Sequence, residues 1–565
     1  MFQPRHLLVA ILALLPFGSL PAQDSVNLST IAAIKQEAFD RSKVMDHLAN
    51  LTDLYGPRLT GSPDFKQAAD WAVTRLNEFG LSNVHLEKWG PFGRSWSLQQ
   101  YAVELIEPRY SLMNAAPLAW SESTKGPVTG EVVVTPTPAR TFDPKKSEEN
   151  FEAYRKQWTG KLRGKIVLLN SPKITHTEEK PQLHRYSDAE LADLAKAPAP
   201  CAKSASGKLT DLKFPDDPDE LRTFYAGLPE PVIDELFDRR TALQTKRAKF
   251  FRDEGALGIL TEDQRAHEGM VFAEQAGGHD SKNPLAPPTF IVTEEQYNRI
   301  ARLADKKIPV RVRFQLQARA SDGDVDAYNV IGEIPGGAKA DELIMVGAHF
   351  DSWHTGTGAT DNAAGSAVMM EVMRILKASG LKMDRTVRIA LWSGEEQGLL
   401  GSKAYVKEHF GDPKTMQLTS RHAKLSGYFN LDNGGGKIRG VYLQGNDAMR
   451  PLFEKWLAPF RDEGVSTVSI RNTGGTDHLS FAAIGLPGFQ FIQDPMDYTT
   501  VTHHSSMDTY DHVSAPDLMQ AAAVIASVVY NAANRPEMLP RLPLPTPAAS
   551  GEKPEAPAPH TGAAQ

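Results

Sequence analysis

Five short stretches put side chains able to bind metal or move protons directly behind apolar, strand-like runs or ahead of helical ones. Leu343–Val346 leads into Gly347-Ala348-His349-Phe350-Asp351-Ser352. Twelve positions after His349 comes Asp361, followed by Asn362 and the small residues Ala363, Ala364 and Gly365 that open a helical pattern. Val387–Trp392 ends in Ser393-Gly394-Glu395-Glu396, and Gly427–Leu431 ends in Asp432 with the glycine-rich Gly434–Gly436 behind it. His503-His504-Ser505-Ser506-Met507-Asp508 precedes the last helical stretch. Each of these has an ordinary structural explanation on its own. A histidine at a strand end commonly serves as a hydrogen-bonded core residue, an Asp before a helix as its N-cap, and paired glutamates as the acidic first turn of a helix.

Together they describe a site. Two imidazoles and three carboxylates, each from a separate element, suit two divalent zinc-like ions with one carboxylate bridging. Two such ions about 3.5–4 Å apart share a water, polarise a carbonyl and stabilise a tetrahedral oxyanion. A base is still needed to take the water's proton and return it to a leaving amine. One of two adjacent glutamates can ligate while the other stays unligated near the water. Asp351, two residues past His349, is placed to hold that imidazole's tautomer or support its orientation.

Composition narrows the alternatives. The chain has 565 residues, 41% of them hydrophobic, more than one ordinary domain requires. Its 62 basic and 69 acidic side chains give a formal net charge of −7, with no basic excess for a nucleic-acid backbone or an anionic membrane. The single cysteine, Cys201, excludes an intrachain disulfide framework and Cys-rich zinc modules, so any metal must be held by His, Asp and Glu.

The elements that must position these residues follow from the pattern. Residues 1–22 read as a secretory signal peptide: Arg5 and His6, an apolar run from Leu7 to about Phe17, then small and turn-forming residues to Ala22. The expected destination is secreted or periplasmic. No other apolar run is long enough to span a bilayer, so no stable membrane insertion is expected. From 23 to 107 the pattern is helical, broken at YGPRLTGS, and then strand-like. From 108 to 322 short β-rich pieces alternate with charged and Pro-rich stretches. The basic run Arg239, Arg240, Lys246, Arg247, Lys249 and Arg252 reads as a solvated helix face. From 323 to 540 strands alternate with helices, which argues for an α/β fold with a mixed, largely parallel sheet sandwiched by helices. Such sheets bind ligands at the carboxyl ends of their strands, where the polar clusters lie. Residues 541–565 form a Pro/Ala-rich tail too poor in apolar groups to fold.

The stretches GAHFDSWHTGTGATDNAAG, LWSGEEQGLLGSKAY, GGTDHLSF and HHSSMDTYDHV, with YGPRLTGSP upstream, resemble the co-catalytic zinc exopeptidases of the aminopeptidase and glutamate carboxypeptidase type. The resemblance implies two zinc ions per chain: His349 and Asp432 on one, Glu396 and His504 on the other, Asp361 bridging. It makes Glu395 the general base and Asp351 the partner behind His349. His504 is preferred over His503 because the family's ligand directly precedes Ser or Thr. Asp477 and His478 fall in a segment near the family's substrate site. The middle region then resembles an inserted protease-associated domain, lengthened here by a charged stretch around 175–238. The loop before Asp432 is longer than the family pattern. The implied substrate is a dipeptide or short peptide, and a homodimer is implied by the resemblance alone. Two rival readings remain: a single-zinc glutaminyl cyclase-like enzyme, which the presence of both His349 and Asp432 opposes, and an inactive binding or receptor-like homologue, which the complete set of ligand positions and Glu395 opposes.

Overall fold

The computed structural model describes residues 26–545 except 138–140, 142, 173–180, 201–208, 210–211, 215–223, 225–227, 229 and 264. The signal-peptide reading, Cys201, the tail from 546 onward and much of the 175–238 stretch lie outside the described residues.

The apolar runs become one mixed sheet. Its half nearest the carboxyl terminus has Gly488–Gln493, Leu425–Asn430, Lys339–His349 and Arg385–Trp392 side by side and parallel. Ile438–Tyr442 runs antiparallel beyond Gly488–Gln493. Helices Leu28–Asp40, Ala364–Ala378 and Ala515–Asn534 cover one face through a continuous aliphatic core. The opposite face is closed by Leu400–His409 and His478–Ala482, around Trp392, Tyr405, Tyr428 and Phe481. The Ala364–Ala378 and Ala515–Asn534 helices are buried along most of their length, as layers between sheet and further helix require.

Two long strands carry the sheet into the middle region. Ser82–Glu107 and Arg311–Ile334 pair antiparallel over nearly their whole length; the first ends at the expected boundary near 108 and the second runs through the one near 322. On the far side of Arg311–Ile334 lie Val128–Val134, Lys165–Leu168, Gly258–Thr261 and Thr289–Val292, a parallel set. Helices Pro144–Trp158, Glu230–Glu254 and Glu294–Asp305 accompany them. The basic face of Glu230–Glu254 is paired with carboxylates: Arg239 with Glu235, Arg240 with Glu274, Lys246 with Glu148, Lys249 with Asp253 and Arg252 with Glu122. At the start of the expected tail, Arg541 is tied down by donating to the carbonyls of His422 and Leu425.

Candidate metal centre

His349 is the last residue of its strand and is 1% exposed. Its Nδ1 lies 3.0 Å from the Asp351 carbonyl oxygen, so an N–H there fixes the tautomer and turns Nε2 toward the site. Nε2 faces Asp361 Oδ1 at 3.1 Å and Asp432 Oδ1 at 3.4 Å. Asp351 thus supports His349 chiefly through its backbone. Its carboxylate, with Oδ1 3.7 Å from Nδ1, is also engaged by Thr60 Oγ1 at 2.8 Å and by the backbone N–H groups of Glu395 at 3.3 Å and Glu396 at 3.4 Å. One buried aspartate therefore ties the His349 strand end to the glutamate turn. Gly394, at φ +71°, makes that turn; any Cβ would press on Leu400 and the Trp89 ring at about 3.0–3.1 Å.

Asp361 escapes the N-cap role. Asn362 Oδ1 accepts from Gly365 N at 2.9 Å, and Asn362 Nδ2 donates to the Leu431 carbonyl. A Cβ on Gly365 would come within 2.4 Å of Asn362 Oδ1 and Leu431 O, so the helix can approach the neighbouring strand only with glycine there. Asp361 is left free to point its two oxygens in opposite directions. Oδ1 faces His349; Oδ2 faces His504 Nε2 at 3.2 Å. His504 Nε2 also lies 2.9 Å from Glu396 Oε2. His503 Nε2 is farther from Asp361 Oδ2, at 3.7 Å, and burial beside His504 pushes its pKa down to about 4. Geometry thus ranks His504 ahead of His503, although His503 also lies within reach of a shared cation.

The donor set fits divalent zinc. His349, Asp361 and Asp432 bring ligand atoms within 4.8 Å of one another, as do Asp361, His503 and His504. Asp361 Oδ2, Glu396 Oε1 and Asp432 Oδ1 are buried acceptors without a well-formed hydrogen bond. Buried carboxylate oxygens in that condition are costly unless a cation satisfies them. Imidazole and carboxylate ligands on both sides of a shared carboxylate match zinc's preferences.

Electrostatics sort the two glutamates. Burial, with Asp432, Asp477 and Glu396 adding to it and His349 opposing, pushes Glu395 well above the usual carboxylate range. Burial raises Glu396 to about 7, against the pull of His504. Asp477 is likewise raised to about 7 by burial, with His349 and the Ser402 hydroxyl pulling the other way. His349 and His504 are both held well above the ordinary imidazole value, because the facing carboxylates outweigh their burial.

Sequence reasoning missed four supports. Arg58, fully buried, donates to the carbonyls of Phe350 (2.8 Å), Leu51 (2.6 Å), Thr357 (3.0 Å) and Gly358 (3.0 Å), and so holds the loop between His349 and Asp361. Thr60 links Asp351 to Gly394 N at 2.8 Å. Asp508 accepts from Thr360 N at 2.6 Å and Asp361 N at 3.2 Å. Glu274, from the middle region, has Oε1 3.3 Å from His504 Nδ1. The first three lie in motifs the sequence singles out, YGPRLTGSP and HHSSMDTYDHV; Glu274 carries no such signal. The site opens into a cavity of about 1760 Å³, lined by Trp353, Glu395, Tyr498 and His504 together with residues of the middle region such as Arg247 and Glu274.

The chain is similar to several known peptidases. Residues 329–529 match Peptidase family M28. The chain is 26% identical over 521 residues to carboxypeptidase Q of Mus musculus, covering 92% of this chain and 90% of that protein. It is 30% identical over 217 residues to aminopeptidase YwaD of Bacillus subtilis, covering 37% of this chain and 45% of that one. Among solved structures, a peptidase M28 precursor from Shewanella amazonensis superposes with a TM-score of 0.62 at 23% identity, covering 92% of this chain and 98% of that one. An aminopeptidase from an Aneurinibacillus species gives 0.52 at 19% identity, covering 90% and 97%. Residues 329–529 thus match peptidase family M28, in a chain that resembles carboxypeptidase Q along most of its length.

Proposed function

We propose that the protein is a secreted or periplasmic dizinc exopeptidase acting on dipeptides or short peptides. The observation that carries this reading is Asp361, whose two oxygens each face a different histidine, with Asp432 beside one and Glu396 beside the other. His349 and Asp432 would hold one zinc, Glu396 and His504 the other, and Asp361 would bridge them. When bound, the pair supplies Lewis acidity toward the attacking water and the scissile carbonyl.

The chain's own groups move the proton. Glu395 takes it from the attacking water at a carboxylate oxygen and delivers it to the leaving amine. Asp351 and Thr60 keep the Glu395 turn in register with His349. Export rests on the layout of residues 1–22; no helix among the described residues is long and apolar enough to cross a membrane. The test is hydrolysis of a matched set of free, N-blocked and C-blocked dipeptides by zinc-loaded protein. Cleavage of the free dipeptides, abolished by a chelator and restored by zinc, is expected. No cleavage of any free dipeptide would remove the peptidase reading.

A further inference from the structure

The two histidines at the site are oriented by different means. His349 is held by a carbonyl two residues away in its own loop. His504 is held by a carboxylate 230 residues away in sequence, Glu274 of the middle region. Glu274 is itself fixed from two sides. Arg240, on the Glu230–Glu254 helix, reaches its Oε2 at 3.1 Å, and Arg265 lies 3.5 Å from Oε1. Arg265 is pinned in turn by both oxygens of Asp263, at 3.0 Å each, and lies over the Phe272 ring.

The backbone around Glu274 is strapped to the His504 loop. Phe272 and Ser505 form an antiparallel bridge, Ser506 N donates to the Val271 carbonyl at 2.9 Å, and Thr355 Oγ1 lies 3.3 Å from the Ala273 carbonyl. His504 sits at φ +64°, a left-handed conformation uncommon for a residue with a side chain and one that persists only where its surroundings impose it. The strap and Glu274 are those surroundings.

We propose that Glu274 is a positioning residue for the metal centre: its carboxylate accepts from His504 Nδ1–H, fixes the tautomer that presents Nε2, and so makes the middle region a structural part of one of the two zinc sites. This rests on the dizinc reading above. A carboxylate behind a ligating imidazole raises its basicity and locks its ring, and loss of such a partner typically weakens metal binding about 10–100-fold. The charge and the geometry of Glu274 both contribute. Glu274→Gln, which keeps an acceptor and loses the charge, should fall near the lower end of that range, and Glu274→Ala, which loses both, near the upper.

The experiment is competitive zinc titration of the full chain against a chromophoric chelator, with the absorption spectrum of the cobalt-substituted protein as a second readout. Wild type should take up two equivalents. In Glu274→Gln one equivalent should weaken about 10-fold, with the other unchanged and the cobalt spectrum altered at one site only. A general loss of fold would not produce that selectivity, and Glu274→Gln provides the answer if Glu274→Ala does not fold. Two equivalents bound with wild-type affinity in Glu274→Gln and Glu274→Ala would overturn the proposal while leaving the dizinc reading intact. Wild type that takes up no zinc would overturn the dizinc reading, and the role of Glu274 with it.

Discussion

At the scale of single residues, the division of labour between Glu395 and Glu396 is the sharpest claim. The two are adjacent in sequence but face different partners: Glu396 reaches His504 at 2.9 Å, while Glu395 is under the influence of His349, Asp432 and Asp477. If Glu395 moves the proton and holds no metal, Glu395→Ala should retain zinc and lose turnover by about 10²–10⁴-fold, the usual contribution of a general base. Metal analysis and steady-state rates on one preparation check this, and near-normal turnover would remove Glu395 as the base. The ligand-type residues were legible because strand ends in an α/β fold converge on one edge and because five of them fall there together. Glu274 was not legible. An acidic residue in a charged, loop-rich stretch has no local pattern that sets it apart, and its contact spans 230 positions.

At the scale of elements, the strands and helices of the 323–540 region followed from hydrophobic runs and periodicity, and most were recovered with boundaries shifted by a few residues. The helical pattern expected to open after Asp361 begins at Ala364 because Asp361 and Asn362 adopt non-helical dihedrals. That departure is functional: Asn362 makes the capping bond to Gly365, and Asp361 is released to the site. The strand Gly488–Gln493 was missed because it is short and buried on both faces, so it shows no alternation. Arg58 illustrates a different limit. Charge at that position reads as a surface residue inside a turn, yet its guanidinium is wholly buried and satisfied by four carbonyls. Only the assembled loop supplies those acceptors.

For the molecule as a whole, the middle region is joined to the rest by more than its connections. The long strands Ser82–Glu107 and Arg311–Ile334 make one sheet of both parts, and the backbone at Val271 and Phe272 is bonded to the His504 loop at Ser505 and Ser506. Sequence texture marked the change in character near 108 and 322 but could not show that a strand runs through the second point or that its long partner ends at the first. Many buried acids share this interior, and they set its pH response. Burial raises Glu396, Asp477 and Asp508 each to about 7. Each binds its proton more tightly folded than unfolded, where carboxylates titrate near about 4. Their stabilising effect is therefore complete below about pH 4 and is lost as pH rises through 7. His349 and His504, also raised, act in the same direction at higher pH. Buried His354 and His503, lowered to about 4, oppose this trend below about pH 6.5. The zinc-free protein should therefore show a falling urea midpoint from about pH 6.5 to 8, with added zinc reversing the loss at about pH 8. A midpoint that stays level or rises over that range in the absence of zinc would contradict this balance of charges.

The account depends most on Asp361 joining two metal sites. Zinc bound per chain should therefore be counted in wild type and in Asp361→Ala after exhaustive chelation and reloading. The prediction is two zinc ions in wild type, and loss of at least one of them with dipeptide hydrolysis in Asp361→Ala. One zinc or none in fully active wild type, or two zinc ions retained by Asp361→Ala with unchanged affinity, would contradict it.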